Sequence, residues 1–297
     1  MKKTIILAIE SSCDDTSAAV LCDGVLLSNT TASQAVHEEF GGVVPELASR
    51  AHQLNIVPVV DAALKRAGVS TDELSAIAFT RGPGLLGSLL VGTSFAKGLA
   101  LAHNIPLVEV NHLQAHILAH FIKTEADDHT APNFPFLCLL VSGGNSQIVL
   151  VKSHYEMEIV GQTIDDAAGE AFDKVARVLG MPYPGGAALD KAAKQGDETK
   201  YNLPRSKPGD NPYNMSFSGL KTAALNLIHH AEQVGEELDI PSLCASFTAA
   251  VSDTLVPRVE RAIRETGCDK VAVAGGVAAN SRIRADILAA AEKLGAT

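Results

Sequence analysis

Tryptophan is absent and aromatic residues make up only 4% of this chain, which leaves little material for the stacked-base platforms of single-strand-binding proteins. Long apolar runs are missing too. The longest clean one, Phe134 to Val141, is far short of the roughly 20 residues that a bilayer-spanning helix needs. Lys2-Lys3 ahead of Ile5 to Ile9 resembles a secretory leader only superficially, because Glu10 interrupts the stretch and no small-residue cleavage site follows. A soluble chain with no membrane association is expected. Cysteine is sparse: five residues, at 13, 22, 138, 244 and 268, with no C-x-x-C pair, which fits reduced thiols in the cytoplasm rather than a disulfide framework. Positive charge is also in deficit. A net charge of −10 excludes a surface coated for nucleic-acid binding, while leaving room for a local basic strip or for RNA recruited with a partner.

What is present is apolar mass, 46% of 297 residues, enough for one large core or two smaller ones. Two lobes are expected, 1–131 and 132–297, with the boundary in the polar stretch Thr124 to Asn133. The first begins as a three-stranded meander: Thr4 to Glu10, Ser17 to Leu21 and, after an Asp23-Gly24 turn, Val25 to Leu27. A helix follows from Pro45 to Ala67, with Pro45 suited to its first turn, Gly68 to its end, and a kink at Pro58. Strand Leu74 to Thr80, helix Leu85 to Ala102 and strand Pro106 to Val110 complete a β-β-β-α-β-α-β order. The order then begins again with strands Phe136 to Val141 and Ser146 to Val151. Helices are expected at Ala167 to Leu179, Gly186 to Gln195, Gly219 to Val234 and Ser242 to Thr266, with a surface loop over Tyr201 to Tyr213. Strand Lys270 to Ala274 and a last helix after Asn280 close the chain.

Three strands run straight into small or polar residues: Glu10 to Thr16, Ser142-Gly143-Gly144 and Gly275-Gly276. Glycine lets backbone approach a ligand closely, and exposed N–H groups at such turns attract phosphate oxygens. One such turn is ordinary; three in a repeating pattern point to a nucleotide. Their spacing is not G-x-G-x-x-G, which disfavours NAD. After the strand ending at Val110, Asn111 suits a helix N-cap and sets His112 and His116 one turn apart on one face, able to share a metal ion. His120 continues that stripe. A metalloprotease is disfavoured, since Leu113 stands where a general-base Glu would be. In the acid-rich segment 164–174, Asp173 is expected two helical turns from Asp166 on the same face. Ser218 reads as an N-cap, and Lys221 in the first turn of its helix opposes the dipole, a hint of an anionic ligand. Arg205, Lys207, Arg258, Arg261 and Arg264 are candidate RNA contacts, more readily read as solvated charge.

The stretches IESSCDD, GGVVPELASR, RGPGLLGSLLVG, NHLQAH, LLVSGGN, IDDAAGEAFDK, YPGG, SFSGLKT and AGGVAAN, in this order and over nearly the whole chain, closely resemble the bacterial-type tRNA N6-adenosine threonylcarbamoyltransferase family, once called O-sialoglycoprotein endopeptidase. The resemblance implies an α/β fold of the actin/Hsp70/sugar-kinase type, two ribonuclease-H-like lobes with a nucleotide cleft. It implies transfer of a threonylcarbamoyl group from threonylcarbamoyl-adenylate to N6 of the adenosine 3′ of the anticodon in tRNAs reading ANN codons. On that pattern His112 and His116 are ligands to one divalent metal, Fe(II) or Zn(II). Leu140, Val141, Ser142, Gly143 and Gly144 form the loop that meets the phosphate and acyl part of the substrate. Asp173, Gly186, Asp190 and Asn280 contact the ribose and base side of the adenylate. The implied partners are tRNA, a paralogous actin-fold subunit and a small ATPase. From position alone, Asp14 or Asp15 is the candidate base for the amine.

The sequence departs from the family pattern at Asn145, where His is usual, at Gln114, where Glu is usual, and at Asp15, where Glu is usual. The pattern also continues past the helix after Asn280 with an Asp that completes the metal site. This sequence runs to Thr297 and offers no residue for that role, so a weakly binding metal site is expected. Two rival functions are an acetate- or sugar-kinase-like phosphotransferase using Mg–ATP, and a non-catalytic scaffold that binds a paralogue or RNA.

Overall fold

A computed structural model describes residues 3–38, 40, 42–124, 131–207 and 209–297. The chain divides into two compact units, Met1–Ala131 and Pro132–Thr297. The expected boundary segment falls mostly on residues 125–130, outside the described residues.

In the first unit, β1 (Ile5–Glu10), β2 (Asp15–Cys22) and β3 (Val25–Ser33) form an antiparallel meander. Asp23 and Gly24 both take positive φ, 50° and 82°, the tight turn that an Asp-Gly pair favours between strands. β4 (Ala76–Gly82) pairs parallel with β1, and β5 (Leu107–Asn111) parallel with β4, giving the order β3-β2-β1-β4-β5. The crossovers are α1 (Pro45–Ala67) and α2 (Leu86–His103). α1 starts on proline and ends at Gly68 in the left-handed region, and Pro58 does not end it. Its apolar face, Ile56, Val59, Val60 and Ala63, packs with Leu7, Ile9, Val20 and Ile77 of the sheet and with Ala96 and Ala100 of α2. Short α3 (His112–Leu118) follows β5 directly.

The second unit repeats the scheme. β6 (Phe136–Val141), β7 (Ser146–Val151) and β8 (Met157–Gln162) form a meander, and β9 (Val271–Ala274) lies parallel to β6, in the order β8-β7-β6-β9. β8 escapes a sequence reading because it is an edge strand with little burial, so its residues lack a two-residue alternation. All six residues of β6 are buried, as expected of a strand covered on both faces. The helices are α4 (Ala168–Val178), α5 (Gly185–Ala193), α6 (Ser218–Val234), α7 (Ile240–Thr266) and α8 (Ser281–Lys293). α7 runs through the core, where Phe247 meets Phe172 of α4 edge-on at 5.4 Å.

Arg258 departs from the expected surface role. It is 4% exposed, and its guanidinium donates to the carbonyls of Asn214, Thr254 and Ser206, fastening the irregular segment before α6 to α7. Arg205 pairs with Asp253, Arg261 with Glu265 and Arg264 with Glu260. No helix among the described residues is long and apolar enough to cross a membrane, and all five cysteines are free.

Candidate functional site

Each unit carries one polar cluster at the ends of its strands. In the first, the parallel strands β1, β4 and β5 finish side by side, the edge at which open α/β sheets place ligands. Asn111 ends β5 and caps α3, its Oδ1 accepting the N–H groups of Leu113 (2.9 Å) and Gln114 (3.2 Å). That cap fixes the first turn, so His112 and His116 converge with their Nε2 atoms 3.1 Å apart and rings nearly perpendicular. Two imidazole nitrogens on one tetrahedral zinc at about 2.1 Å would lie about 3.4 Å apart. The pair therefore fits two donors facing one cation. Among the described residues no group of three or more His, Cys, Asp and Glu could hold an ion. His120 leaves the stripe: α3 tightens into a 3-10 turn at Ala119–Phe121, and the His120 ring bonds to the Ile117 carbonyl.

Behind the pair stands Glu10, at the end of β1. Its carboxylate accepts from the Ser12 N–H and the Thr80 hydroxyl, and lies 3.3 Å from His112 Nδ1. Burial pushes this carboxyl up, but the hydrogen bonds from His112, Ser12 and Thr80 outweigh it and hold the pKa at about 2. Burial, then the neighbouring His112, holds His116 below its ordinary value, which favours the neutral ring that a metal requires.

The turn after Glu10 is clamped from two helices. Ser11 Oγ donates to the Ser88 carbonyl of α2, and Ser88 Oγ donates to the Cys13 carbonyl. From α1, the wholly buried His52 donates through Nε2 to the same carbonyl at 2.9 Å and accepts at Nδ1 from Thr16 Oγ1 at 2.7 Å. Asp14 is half-buried in this turn, and Asp15 is exposed at the first position of β2. Sequence reasoning did not single out His52 or Glu10. The only signal was a polar residue at a strand end and a histidine on an otherwise apolar helix face.

In the second unit the cluster is built mainly of backbone. Leu140 and Val141 are the last residues of β6 and fully buried, so they offer only their peptide groups. The turn Ser142 to Asn145 is closed by Ser142 N–H on the Asn145 carbonyl (2.8 Å) and leaves Gly143 and Gly144 exposed. α4 begins against it, with Gly169 N–H donating to the Ser142 carbonyl at 3.2 Å. A Cβ at Gly169 would overlap that same oxygen, and one at Gly275 (φ 91°) would overlap the Val141 carbonyl. The missing side chains let three segments press together. Asp173 Oδ1 accepts Gly185 N–H (3.0 Å) at the start of α5, beside Gly186, whose Cβ position faces open space. Asp190 Oδ1 accepts the N–H (3.1 Å) and hydroxyl (2.8 Å) of Ser281 at the start of α8, which Asn280 caps through Arg282 and Ile283 N–H.

Three sequence expectations are corrected here. Asp166 precedes α4 rather than lying on it, so it does not share a helix face with Asp173. The anion opposite Lys221 is Asp166 itself, 2.5 Å away. Ser218 is the first residue of α6 rather than its cap. Asp165 supplies the cap from another segment, accepting from the backbone of Phe217 and Ser218 and from the hydroxyls of Ser216 and Ser218.

The sequence profile of tRNA N6-adenosine threonylcarbamoyltransferase (TsaD) matches residues 25–297. The tRNA N6-adenosine threonylcarbamoyltransferase of Phocaeicola vulgatus is 60% identical over 286 residues, 95% of this chain and 83% of that protein. This chain belongs to the tRNA N6-adenosine threonylcarbamoyltransferase family. The Christiangramia forsetii member is 55% identical, over 99% of this chain and 86% of its own length. Among solved structures, T. kodakarensis HypF superposes with a TM-score of 0.62 at 14% identity, covering 98% of this chain and 44% of that one. Component A of the Acidaminococcus fermentans (R)-2-hydroxyglutaryl-CoA dehydratase superposes with a TM-score of 0.53 at 16% identity, over 100% and 90%. At such identities these two speak for the fold alone. The transferase fold is the actin-like α/β architecture expected from the motifs.

Proposed function

We propose that this transferase moves a threonylcarbamoyl group from threonylcarbamoyl-adenylate to N6 of the adenosine 3′ of the anticodon in tRNAs reading ANN codons, forming t6A. The observation that carries this reading is the family match over residues 25–297, which includes His112, His116 and the whole of the second cluster. The donor is a mixed carbamoyl–phosphate anhydride, already activated, so the protein has chiefly to position it against a weakly nucleophilic aromatic amine. Backbone of Leu140 to Gly144 receives the phosphate and acyl part. Asp173, Gly186, Asp190 and Asn280, gathered at the starts of α5 and α8, receive the ribose and base side. Asp14 or Asp15 accepts the proton that leaves the N6 amine as the new C–N bond forms and the adenylate phosphate departs.

A divalent cation, Fe(II) or Zn(II), held through Nε2 of His112 and His116, would supply Lewis-acid polarisation of carbonyl or phosphoryl oxygens. The partners on this reading are tRNA, a paralogous actin-fold subunit and a small ATPase, all in the cytoplasm. Exposed apolar side chains on α1 (Leu54, Val57) and α2 (Leu86, Leu90, Leu101) support docking of a protein partner. The test is reconstitution with the adenylate, both partners and unmodified tRNA, with nucleosides analysed by mass spectrometry. t6A is expected; an unmodified adenosine beside ATP-dependent phosphorylation of a small molecule would favour the kinase-like alternative.

A further inference from the structure

The pair of histidines raises a question about protons that their spacing alone does not answer. A ring that gives its Nε2 lone pair to a cation must carry its hydrogen on Nδ1. His112 Nδ1 has two neighbours, Ser12 Oγ at 3.2 Å and Glu10 Oε2 at 3.3 Å. A serine hydroxyl accepts from Nδ1–H or donates to bare Nδ1 with equal ease, so Ser12 permits either tautomer. A carboxylate is an acceptor only. Facing Glu10, the ring is driven to carry the hydrogen on Nδ1.

We infer that Glu10 is a positioning residue that selects the Nδ1–H tautomer of His112 and so aims its Nε2 lone pair at the point shared with His116. The inference rests on the reading of these two histidines as cation donors. Glu10 is itself well anchored for this task. One carboxylate oxygen accepts the Ser12 N–H, and the other accepts the Thr80 hydroxyl from the neighbouring strand β4. The carboxylate is thus held from its own turn and from β4, while His112 is set by the Asn111 cap on α3. Three strand ends, β1, β4 and β5, therefore converge on one imidazole. Carboxylate partners of this kind orient metal-binding histidines and raise their basicity, and losing one costs about 10–100-fold in metal affinity.

The test uses the full chain with and without Zn2+, comparing Glu10→Gln, Glu10→Ala and Ser12→Ala. The histidine tautomer in metal-free protein is read from 15N chemical shifts, and Zn2+ affinity from competition with a chelating dye. Wild type and Ser12→Ala are expected to hold Nδ1–H at His112. Both Glu10 variants are expected to populate the Nε2–H form and to bind Zn2+ about 10–100-fold more weakly. Glu10→Gln is nearly isosteric, which keeps the comparison open should Glu10→Ala fail to fold. An unchanged tautomer in Glu10→Gln, or a shift caused by Ser12→Ala instead, overturns the assignment. If Zn2+ binds neither wild type nor variants while the tautomer still follows Glu10, the underlying reading of the pair as cation donors fails and the tautomer role stands.

Discussion

The cluster in the first unit is made of side chains: two imidazoles, a carboxylate and hydroxyls held by hydrogen bonds from three strand ends. The cluster in the second is made of backbone, where Gly169 and Gly275 bring turns into contact and Asp173, Asp190 and Asn280 spend carboxylate or amide oxygens on helix starts. On the proposed function, the difference separates two kinds of work. Side chains suit a cation, which needs specific donors of defined protonation. Main-chain N–H groups at glycine turns and helix starts suit a nucleotide's phosphate and hydroxyls. It also separates two kinds of fragility, because removing a donor side chain leaves the packing alone, whereas adding an atom to a packed glycine does not.

The largest effect is expected where the backbone cluster is tightest. Gly275→Ala should destabilise the protein by about 3 kcal/mol or more, since the new Cβ meets the Val141 carbonyl and the positive φ disfavours any side chain. Gly144→Ala, with open space around it, should stay within about 0.5 kcal/mol. Urea unfolding of the two variants checks this, and equal losses would break the distinction between packed and ligand-facing glycines. Next comes the side-chain cluster: His112→Ala should weaken Zn2+ binding by more than the roughly 10–100-fold expected for losing its Glu10 partner, while shifting stability by less than about 1 kcal/mol. Calorimetric titration and thermal unfolding of the same sample measure both. A smaller loss, about 1 kcal/mol, is expected for Asp190→Ala, which removes the acceptor for Ser281 at the start of α8. The smallest effect concerns Asp165. Burial raises its pKa, but bonds from Ser216, Phe217 and Ser218 lower it further, so its net shift is downward. A carboxylate depressed in the folded state stabilises above its unfolded pKa of about 4, and that contribution fades as pH falls below it. Asp165→Asn should therefore flatten the acid limb of the stability-versus-pH curve below about pH 4, read by denaturant melts at stepped pH.

Much of this contrast was legible in the residues. Pro45 and Gly68 marked α1 to the residue, Asn111 announced its cap, and the buried β6 and its partner β7 stood out as apolar runs. What escaped the sequence was tertiary. β8 is an edge strand with no burial pattern to read. The partners of Lys221 and Asp165 lie 55 and 53 residues away along the chain at most, so no local spacing reveals an internal ion pair or a borrowed helix cap. Arg258 looked like one of a row of surface arginines because helical period says nothing of the loop that covers it. Glu10 was hidden for the same reason, since its bond to His112 spans 102 positions.

The most direct test of the division between the clusters is to measure Zn2+ binding and, in metal-free buffer, binding of a non-hydrolysable threonylcarbamoyl-adenylate analogue for His112→Ala and Gly144→Ala side by side. The account predicts that His112→Ala loses the zinc and keeps the adenylate, while Gly144→Ala keeps the zinc and loses the adenylate. Loss of adenylate binding in metal-free His112→Ala, or wild-type adenylate affinity in Gly144→Ala, would contradict it.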